Sequence, residues 1–448
     1  MVFSGIDFIC YFLPAFLLCY FTIPEKYRKY VLVLGSFIFY TSGTLEHPLY
    51  IFLLIATSLV DFYIGQAIQT RENEKKQFLI IGISYNLFWL LLFKYMPGIS
   101  SLPVGISFYT FKGISYMVDV YTGKIQAEKR VLNFVLYMCF FPALTAGPII
   151  TYPQFEAGKR DTSFDLERFK SGFYTFITGL GLKVLLANNL ASMWRNIQSI
   201  GFDSVSTPLA WLGAIALSLQ IYFDFYGYSL MAAGIGKILG YAIPKNFKHP
   251  YMSRTMTEFW RRWHITLGAF FRNYVYIPLG GNRGGTTKTI RNLFVVWVLT
   301  GIWHGSTITF LLWGVFLFVV IVLEKYLYGN FLSKNALAGH LYMILLIPLS
   351  WLIFQIGNFG ELAVYFSRLF PFFGGEVFPT LKTDYRKYLS DYGVYILLGL
   401  LFSTYLPYNL LRKINGKFVG WVFMAIVFAL SMYCIFKGLD DPFLYFTF

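Results

Sequence analysis

The chain has 448 residues, 57% of them hydrophobic and 13% charged, with a net charge of +15. A soluble globular domain carries about 25% charged residues, so this chain lacks the polar groups to cover a water-facing surface, and the bilayer is its natural solvent. The positive balance is that of cytoplasmic loops, as in Lys26, Arg28 and Lys29 of Glu25–Tyr30, Lys124–Arg130 and Arg412–Lys417; no basic stripe sits in a context that reads nucleic acid, and that function class is excluded.

Apolar runs recur along the chain, many near the roughly 17–25 residues that span a bilayer. They are Ile6–Ile23, Val31–Thr41, Leu49–Ala67, Phe78–Tyr95, Leu132–Ile150, Phe173–Leu190, Leu209–Ile238, Phe294–Leu323, Leu341–Ile356, Tyr395–Leu411 and Phe418–Phe436. Leu209–Ile238 and Phe294–Leu323 are too long for one simple helix, and each reads as a helix pair or a broken helix. The expectation is an all-α polytopic membrane protein with about 11–13 transmembrane or re-entrant helices. No linker, soluble domain or internal repeat interrupts it, so 1–448 reads as a single membrane domain.

The first run lacks a basic leader and a small-residue cleavage site, and reads as a retained helix. Ser163 followed by Glu167 predicts a capped helix start ahead of Phe169 and Phe173. The four cysteines, Cys10, Cys19, Cys139 and Cys434, all lie in apolar runs without a CxxC pair, which predicts neither disulfide nor metal. With Glu25–Tyr30 inside, Met1 is outside, and counting back from Arg412–Lys417 puts Asp440–Phe448 outside as well.

The middle of the chain breaks this alternation. Lys245–Arg262 is basic, and the following Ile265–Leu279 is short and interrupted by Arg272 and Pro278. Irregular backbone at membrane depth is tolerated only where it is buried in protein or lines a cavity. Residues 256–285 therefore read as a re-entrant, site-forming region.

Of five histidines, His47 and His249 precede prolines in loops and His340 opens an apolar helix; packing or interface roles suit all three. His264 ends Glu258-Phe259-Trp260-Arg261-Arg262-Trp263-His264. His304 lies in Thr300-Gly301-Ile302-Trp303-His304-Gly305, deep in a hydrophobic stretch, where an ionisable group points to function. A neutral imidazole can take a hydroxyl proton and return it to a leaving group near neutral pH. Helix packing by a hydrogen-bonded histidine is the plainer alternative. Asp61, Asp119, Asp224 and Glu324 read as satisfied buried acids or as parts of a polar cavity. The glycine-rich, basic Pro278–Gly285, with Asn282 and Arg283, can approach the phosphates of an acyl carrier but has no Walker spacing; a plain turn fits it equally well. The aromatic end Pro442-Phe443-Leu444-Tyr445-Phe446-Thr447-Phe448 is unlike the usual polar terminus and suggests docking.

Taken together, these blocks resemble the bacterial membrane-bound O-acyltransferases (MBOAT) of alginate and peptidoglycan O-acetylation over nearly the whole chain, and more distantly the teichoic-acid D-alanylation enzymes. The similar blocks are Met1–Phe8, Leu102–Phe111, Phe140-Phe141-Pro142 with Ala146-Gly147-Pro148-Ile149, Phe259–His264, Tyr276–Arg283 and Trp303-His304-Gly305. The chain departs from the family pattern at Leu230, Asn273, Thr145 and Thr300.

The resemblance implies a ring of tilted helices around a central membrane-spanning tunnel. It implies His304 as the catalytic histidine and His264 as the second active-site histidine. Tyr445 of the extracytoplasmic tail, residues 440–448, is the acyl-carrying tyrosine by the same resemblance. Trp260, Arg261, Arg262, Trp263, Trp303, Asn282, Arg283 and Asp224 are the expected donor- and substrate-binding residues. No bound cofactor or metal is expected; acetyl-CoA or another cytosolic acyl thioester is the donor. His304 deprotonates the acceptor hydroxyl, and His264 orients groups or stabilises the oxyanion. The expected partners are the lipid bilayer, the acyl donor and an extracytoplasmic SGNH-type O-acetyltransferase or polysaccharide biosynthesis complex, with the chain multi-pass in the inner membrane. The alternatives are an MBOAT that acylates a lipid or protein, a transporter whose ion-coupled uptake survives loss of His304, and an envelope-complex scaffold indifferent to that loss.

Overall fold

Apolar side chains cover much of the outside of the molecule. In the computed structural model, which describes residues 1–96, 102–373 and 382–438, the apolar window of Lys75–Tyr95 is only 17% buried and that of Phe418–Phe436 only 22%. Ile80, Ile81, Phe88, Phe418, Val422 and Ile426 all stand exposed. Lipid accommodates such faces, whereas water would leave them as extended apolar patches. Thr207–Ile238 and Leu166–Ile200 are interior helices by the same measure, 78% and 72% buried.

Among the described residues the structure is helical, with no strand and one isolated bridge between Lys159 and Tyr241. Among the described residues seven helices are long and apolar enough to cross a membrane, or eight if Asp384–Phe402 and Leu406–Ile414, bent by 78°, form one span. The remaining apolar runs form shorter helices, such as Asp7–Thr22.

Several boundaries differ from the sequence reading. Leu209–Ile238 is neither paired nor broken: Thr207–Ile238 is one helix of 32 residues. Its only proline, Pro208, falls in the first turn, where a missing N–H costs nothing. At 1.5 Å per residue it is about 48 Å long, well beyond a bilayer core of about 30 Å. Phe294–Leu323 does resolve into a pair, Thr286–His304 and Ile308–Leu323. Leu132–Ile150 is not a continuous helix. Val131–Cys139 gives way to a short 3-10 turn at Phe141–Ala143, since Pro142 and Pro148 cannot extend a helical ladder. The capped start near Ser163 lies two residues later: Asp165 Oδ1 accepts the Arg168 N–H at 2.9 Å, while Ser163 is held by Asp161.

The chain forms two compact units, Met1–Gly179 with Tyr228–Lys245, and Leu180–Gly227 with Asn246–Phe448. In the first, the helix Ile106–Tyr121 is buried along nearly its whole length. Its buried lysine is satisfied locally: Lys112 Nζ donates to the carbonyls of Tyr137 and Met138 at 3.2 and 3.4 Å. Phe3, Phe8, Phe12, Phe16, Phe39 and Phe141 form one aromatic cluster in the same unit.

The second unit is organised around the hairpin Thr286–His304/Ile308–Leu323. Glycines let its backbones touch. A Cβ on Gly301 would lie 2.5 Å from the Phe310 carbonyl oxygen, and one on Gly314 would lie 2.5 Å from that of Trp297. Ala336–Gln355 packs on the same hairpin, where Trp313 Nε1 donates to Ser350 Oγ at 3.0 Å. The short helix Met256–Arg262 is anchored by Glu324. That carboxylate accepts from the N–H groups of Met256 and Thr257 at 2.5 and 2.8 Å, from Thr257 Oγ1 at 2.7 Å and from the Tyr342 hydroxyl at 3.1 Å. A carboxylate at a helix N-terminus satisfies orphan donors and complements the helix dipole.

Candidate active site

The site is built within the second unit from three short stretches: Asn246, residues 256–276 and the helix Thr286–His304. A cavity of about 400 Å³ is lined on one side by Leu293, Val296, Trp297 and Thr300, and on the other by Thr257, Trp260, Arg261, Trp263, His264 and Arg272. The first four share one helical face, because residues three and four apart lie one above the other. His304 follows Thr300 by four residues and continues that face one turn further.

His304 is buried at 6% exposure and enclosed by rings. Trp303 lies at 4.5 Å between centroids, Phe354 at 4.9 Å and nearly perpendicular, Trp313 at 5.1 Å and perpendicular, and Phe310 at 6.2 Å. Edge-to-face contacts at these separations are the favoured aromatic geometry, so the imidazole plane is held from several sides. Trp313 also meets Trp260 at 5.6 Å. One indole thus touches both His304 and a wall of the cavity. After His304 the helix stops and Gly305 leaves in extended backbone.

His264 lines the cavity directly and is 2% exposed. Its backbone is left-handed, φ 43° and ψ 52°, a conformation that costs an L-residue about 1–2 kcal/mol. The Asn246 carbonyl and side chain hold it there. Asn246 O accepts the Ile265 N–H at 2.9 Å, and Asn246 Oδ1 accepts the Thr266 N–H at 3.2 Å and hydroxyl at 2.9 Å. His264 Nδ1 lies 3.2 Å from the same Oδ1, and Phe225 packs on the ring edge to face at 4.7 Å.

A second, more polar cavity of about 580 Å³ shares Thr257, Arg261, Arg272, Tyr276, Leu293 and Ile321 with the first, and adds Asn282, Glu324, Lys325, Asn330 and Ser333. It carries three cationic side chains, Arg261, Arg272 and Lys325. Its one carboxylate, Glu324, is engaged by the Met256–Arg262 helix. Such a surface attracts anions. The two volumes together grade from aromatic and apolar to cationic.

The structure therefore brings together Trp260, Arg261, Trp263 and His264 of the expected residues at the first cavity and Arg261 with Asn282 at the second; His304, one helical turn past Thr300, lines neither. Trp263 packs between Phe247 and Trp351 at 5.0 and 4.8 Å. Asn282 Oδ1 accepts from Tyr276 Oη and Lys325 Nζ at 2.7 and 2.8 Å. Trp303 is packed on His304 and is not among the residues that line either cavity. Arg262 lines neither: its guanidinium reaches Glu258 at 2.5 Å and the Tyr405 hydroxyl at 2.8 Å. Arg283 lies in the turn beyond, donating its N–H to Gly280 O at 2.9 Å. Asp224 forms a buried ion pair with Lys183 at 2.5 Å. Tyr445 and the tail 440–448 lie outside the described residues.

Sequence reasoning missed Asn246, Arg272 as a cavity residue, Lys325, and the indoles of Trp297, Trp313 and Trp351. It also missed Asn292, whose Nδ2 ties down the glycine-rich turn through the carbonyls of Leu279 and Gly281 at 3.1 and 3.0 Å. The one available signal was the spacing of Trp297, Thr300 and His304, which repeats on a single helical face.

The family model for MBOAT, membrane-bound O-acyltransferase, matches residues 127–359. Over 397 residues the chain is 35% identical to the probable alginate O-acetylase AlgI of Pseudomonas syringae pv. tomato, covering 83% of this chain and 76% of that protein. It is 33% identical over 368 residues to the peptidoglycan O-acetyltransferase of Helicobacter pylori, covering 70% and 68%. It is 27% identical over 228 residues to the teichoic acid D-alanyltransferase of Bacillus subtilis, covering 48% and 56%. With its long lipid-facing helices, the chain belongs to the membrane-bound O-acyltransferase family and is a multi-pass membrane acyltransferase.

Proposed function

We propose that this acyltransferase moves acetyl groups from a cytosolic thioester, acetyl-CoA or a related donor, across the inner membrane for O-acetylation of an extracytoplasmic polysaccharide of the alginate or peptidoglycan kind. The observation that carries the mechanism is the burial of His304 in a cage of aromatic rings, on the same helical face as the cavity wall. The 35% identity to an alginate O-acetylase supports the polymer class.

His304 takes the proton of the acceptor hydroxyl as its oxygen attacks the thioester carbonyl. The tetrahedral intermediate collapses with cleavage of the C–S bond, and the imidazolium returns the proton to the leaving thiolate. The cationic cavity around Arg261, Arg272 and Lys325 suits the phosphates of the donor, with Asn282 beside it. Tyr445 is the proposed first acceptor, and an SGNH-type transferase outside the membrane then passes the acetyl group to sugar hydroxyls.

The test is the O-acetyl content of envelope and secreted polymers in cells carrying wild type, His304→Ala or Tyr445→Phe at matched membrane expression. Loss with both variants supports base and relay, and the polymer that loses acetyl names the substrate. Undiminished acetylation with His304→Ala overturns the mechanism; loss with His304→Ala alone keeps the base and removes the tyrosine relay.

A further inference from the structure

We propose that Asn246 is a positioning residue that fixes the tautomer of His264, and that His264 consequently works as a hydrogen-bond acceptor toward the acceptor hydroxyl rather than as a donor to the oxyanion. The inference rests on the reading of His264 as a site residue, and it decides between the two roles open to that residue.

The argument runs through one oxygen atom. A side-chain amide can be turned either way, so its orientation must come from its partners. Here a partner of unambiguous polarity settles it. The Thr266 backbone N–H can only donate, and it lies 3.2 Å from the Asn246 side-chain atom that also faces Thr266 Oγ1 at 2.9 Å. An NH₂ in that place would oppose donor to donor, a costly arrangement in a buried site. That atom is therefore the amide oxygen, an acceptor only. His264 Nδ1 lies 3.2 Å from the same oxygen. Two acceptors facing one another make no hydrogen bond, so Nδ1 carries the hydrogen and donates it. In the neutral ring the lone pair then falls on Nε2.

The backbone enforces the same arrangement. His264 is left-handed at φ 43°, and the Ile265 N–H is held by the Asn246 carbonyl at 2.9 Å. Asn246 thus grips both the main chain on the far side of His264 and the ring itself. Asn246 and His264 are 3% and 2% exposed, so water does not compete for these bonds. A neutral imidazole with Nδ1–H engaged has no hydrogen left to give an oxyanion. It can accept the hydrogen of a hydroxyl at Nε2 and so hold that hydroxyl in a chosen direction.

The experiment is solid-state NMR of the full-length protein, labelled with ¹³C,¹⁵N-histidine and reconstituted in lipid bilayers. His264 is assigned as the signal absent from His264→Gln. The carbon and nitrogen shifts of imidazole separate the Nδ1–H from the Nε2–H form. Wild type is expected to show Nδ1–H. Asn246→Asp, whose carboxylate can accept the same donors, keeps that form, as does Thr266→Val, which removes one donor and leaves the His264–Asn246 bond. Asn246→Leu, close in volume but without an acceptor, loses it. In cells at matched expression, O-acetyl content is retained by Asn246→Asp and falls by about 10²-fold with Asn246→Leu, the order expected of a misplaced reacting group. A wild-type His264 in the Nε2–H form, or an Nδ1–H signal that persists in Asn246→Leu, overturns the proposal. Full acetylation with His264→Gln removes the role in catalysis and leaves the tautomer to be decided by the spectrum alone.

Discussion

The imidazole of His304 meets the indole of Trp313 edge to face, with centroids 5.1 Å apart and planes at 89°. Trp313 is fully buried, and its Nε1 is spent on Ser350. It therefore acts as a fixed wall against which the histidine ring is set. Trp313→Ala is expected to cost about 3–5 kcal/mol in stability and to lose most O-acetylation even in the protein that reaches the membrane. Trp313→Phe keeps a ring edge, loses one hydrogen bond worth about 1 kcal/mol and retains more activity. Thermal unfolding in detergent and polymer acetyl content together check this. Normal acetylation in Trp313→Ala would show that the wall does not orient His304.

Gly301 lies three residues before His304, at the contact between the two hairpin helices. Its missing Cβ leaves room for a backbone carbonyl, which cannot move aside as a side chain can. Gly301→Ala is expected to destabilise by about 1–3 kcal/mol through overpacking and to displace His304. Gly268 is the control: a Cβ there meets nothing closer than 3.7 Å. Gly268→Ala is neutral or gains up to about 1 kcal/mol from helix propensity. Equal melting temperatures for the two variants would contradict the close-contact account.

Lys183 and Asp224 pair at 2.5 Å with side chains 0% and 2% exposed. Removing one partner of a buried pair leaves an uncompensated charge and costs about 3–5 kcal/mol. Lys183→Met and Asp224→Leu should each sharply lower the yield of folded protein, while the double variant recovers much of it. A double-mutant cycle on thermal stability measures the coupling. Additive losses would mean that the two side chains are satisfied independently.

Glu324 sits where Ile308–Leu323 passes into a π-helical turn, and it holds the first N–H groups of the helix that carries Trp260 and Arg261. Glu324→Ala leaves those donors unsatisfied, at about 1–3 kcal/mol. Glu324→Gln keeps one acceptor oxygen, but its NH₂ then faces donors that the other oxygen held, so it loses the charge and half of the cap. The expected order of acetylation is wild type, Gln, then Ala, read as polymer acetyl content at matched expression. Undiminished acetylation in Glu324→Ala would show that this cap does not position the helix.

Much of the architecture is legible in the amino-acid sequence. The depletion of charge and the length of the apolar runs dictate helices in lipid, because only a closed backbone ladder satisfies its polar groups there. Phe294–Leu323 was readable from its length as a helix pair or a broken helix, and it is the pair. Leu209–Ile238 was not readable as one helix, since length cannot tell a tilted interior helix from a broken one. Leu132–Ile150 misled for the opposite reason: its burial comes from protein packing, while its prolines end the helix at Cys139.

At the site, the blocks around His264 and His304 stood out in the chain, and burial of an imidazole in an apolar stretch was itself the signal. The partners of these residues were invisible. Asn246 bonds to a ring 18 positions away, Lys183 to an acid 41 away, and Glu324 to a helix start 68 away. The sequence by itself determined the solvent, the helical class and the family, and it singled out the two histidines as candidates, because composition, run length and local motifs are properties of neighbouring residues. Only the tertiary structure decided which cations line the cavity, that Arg262 and Trp303 stand outside its lining, and which atom faces the His264 ring. A buried polar group must find a partner, and three-dimensional packing alone selects which distant residue supplies it.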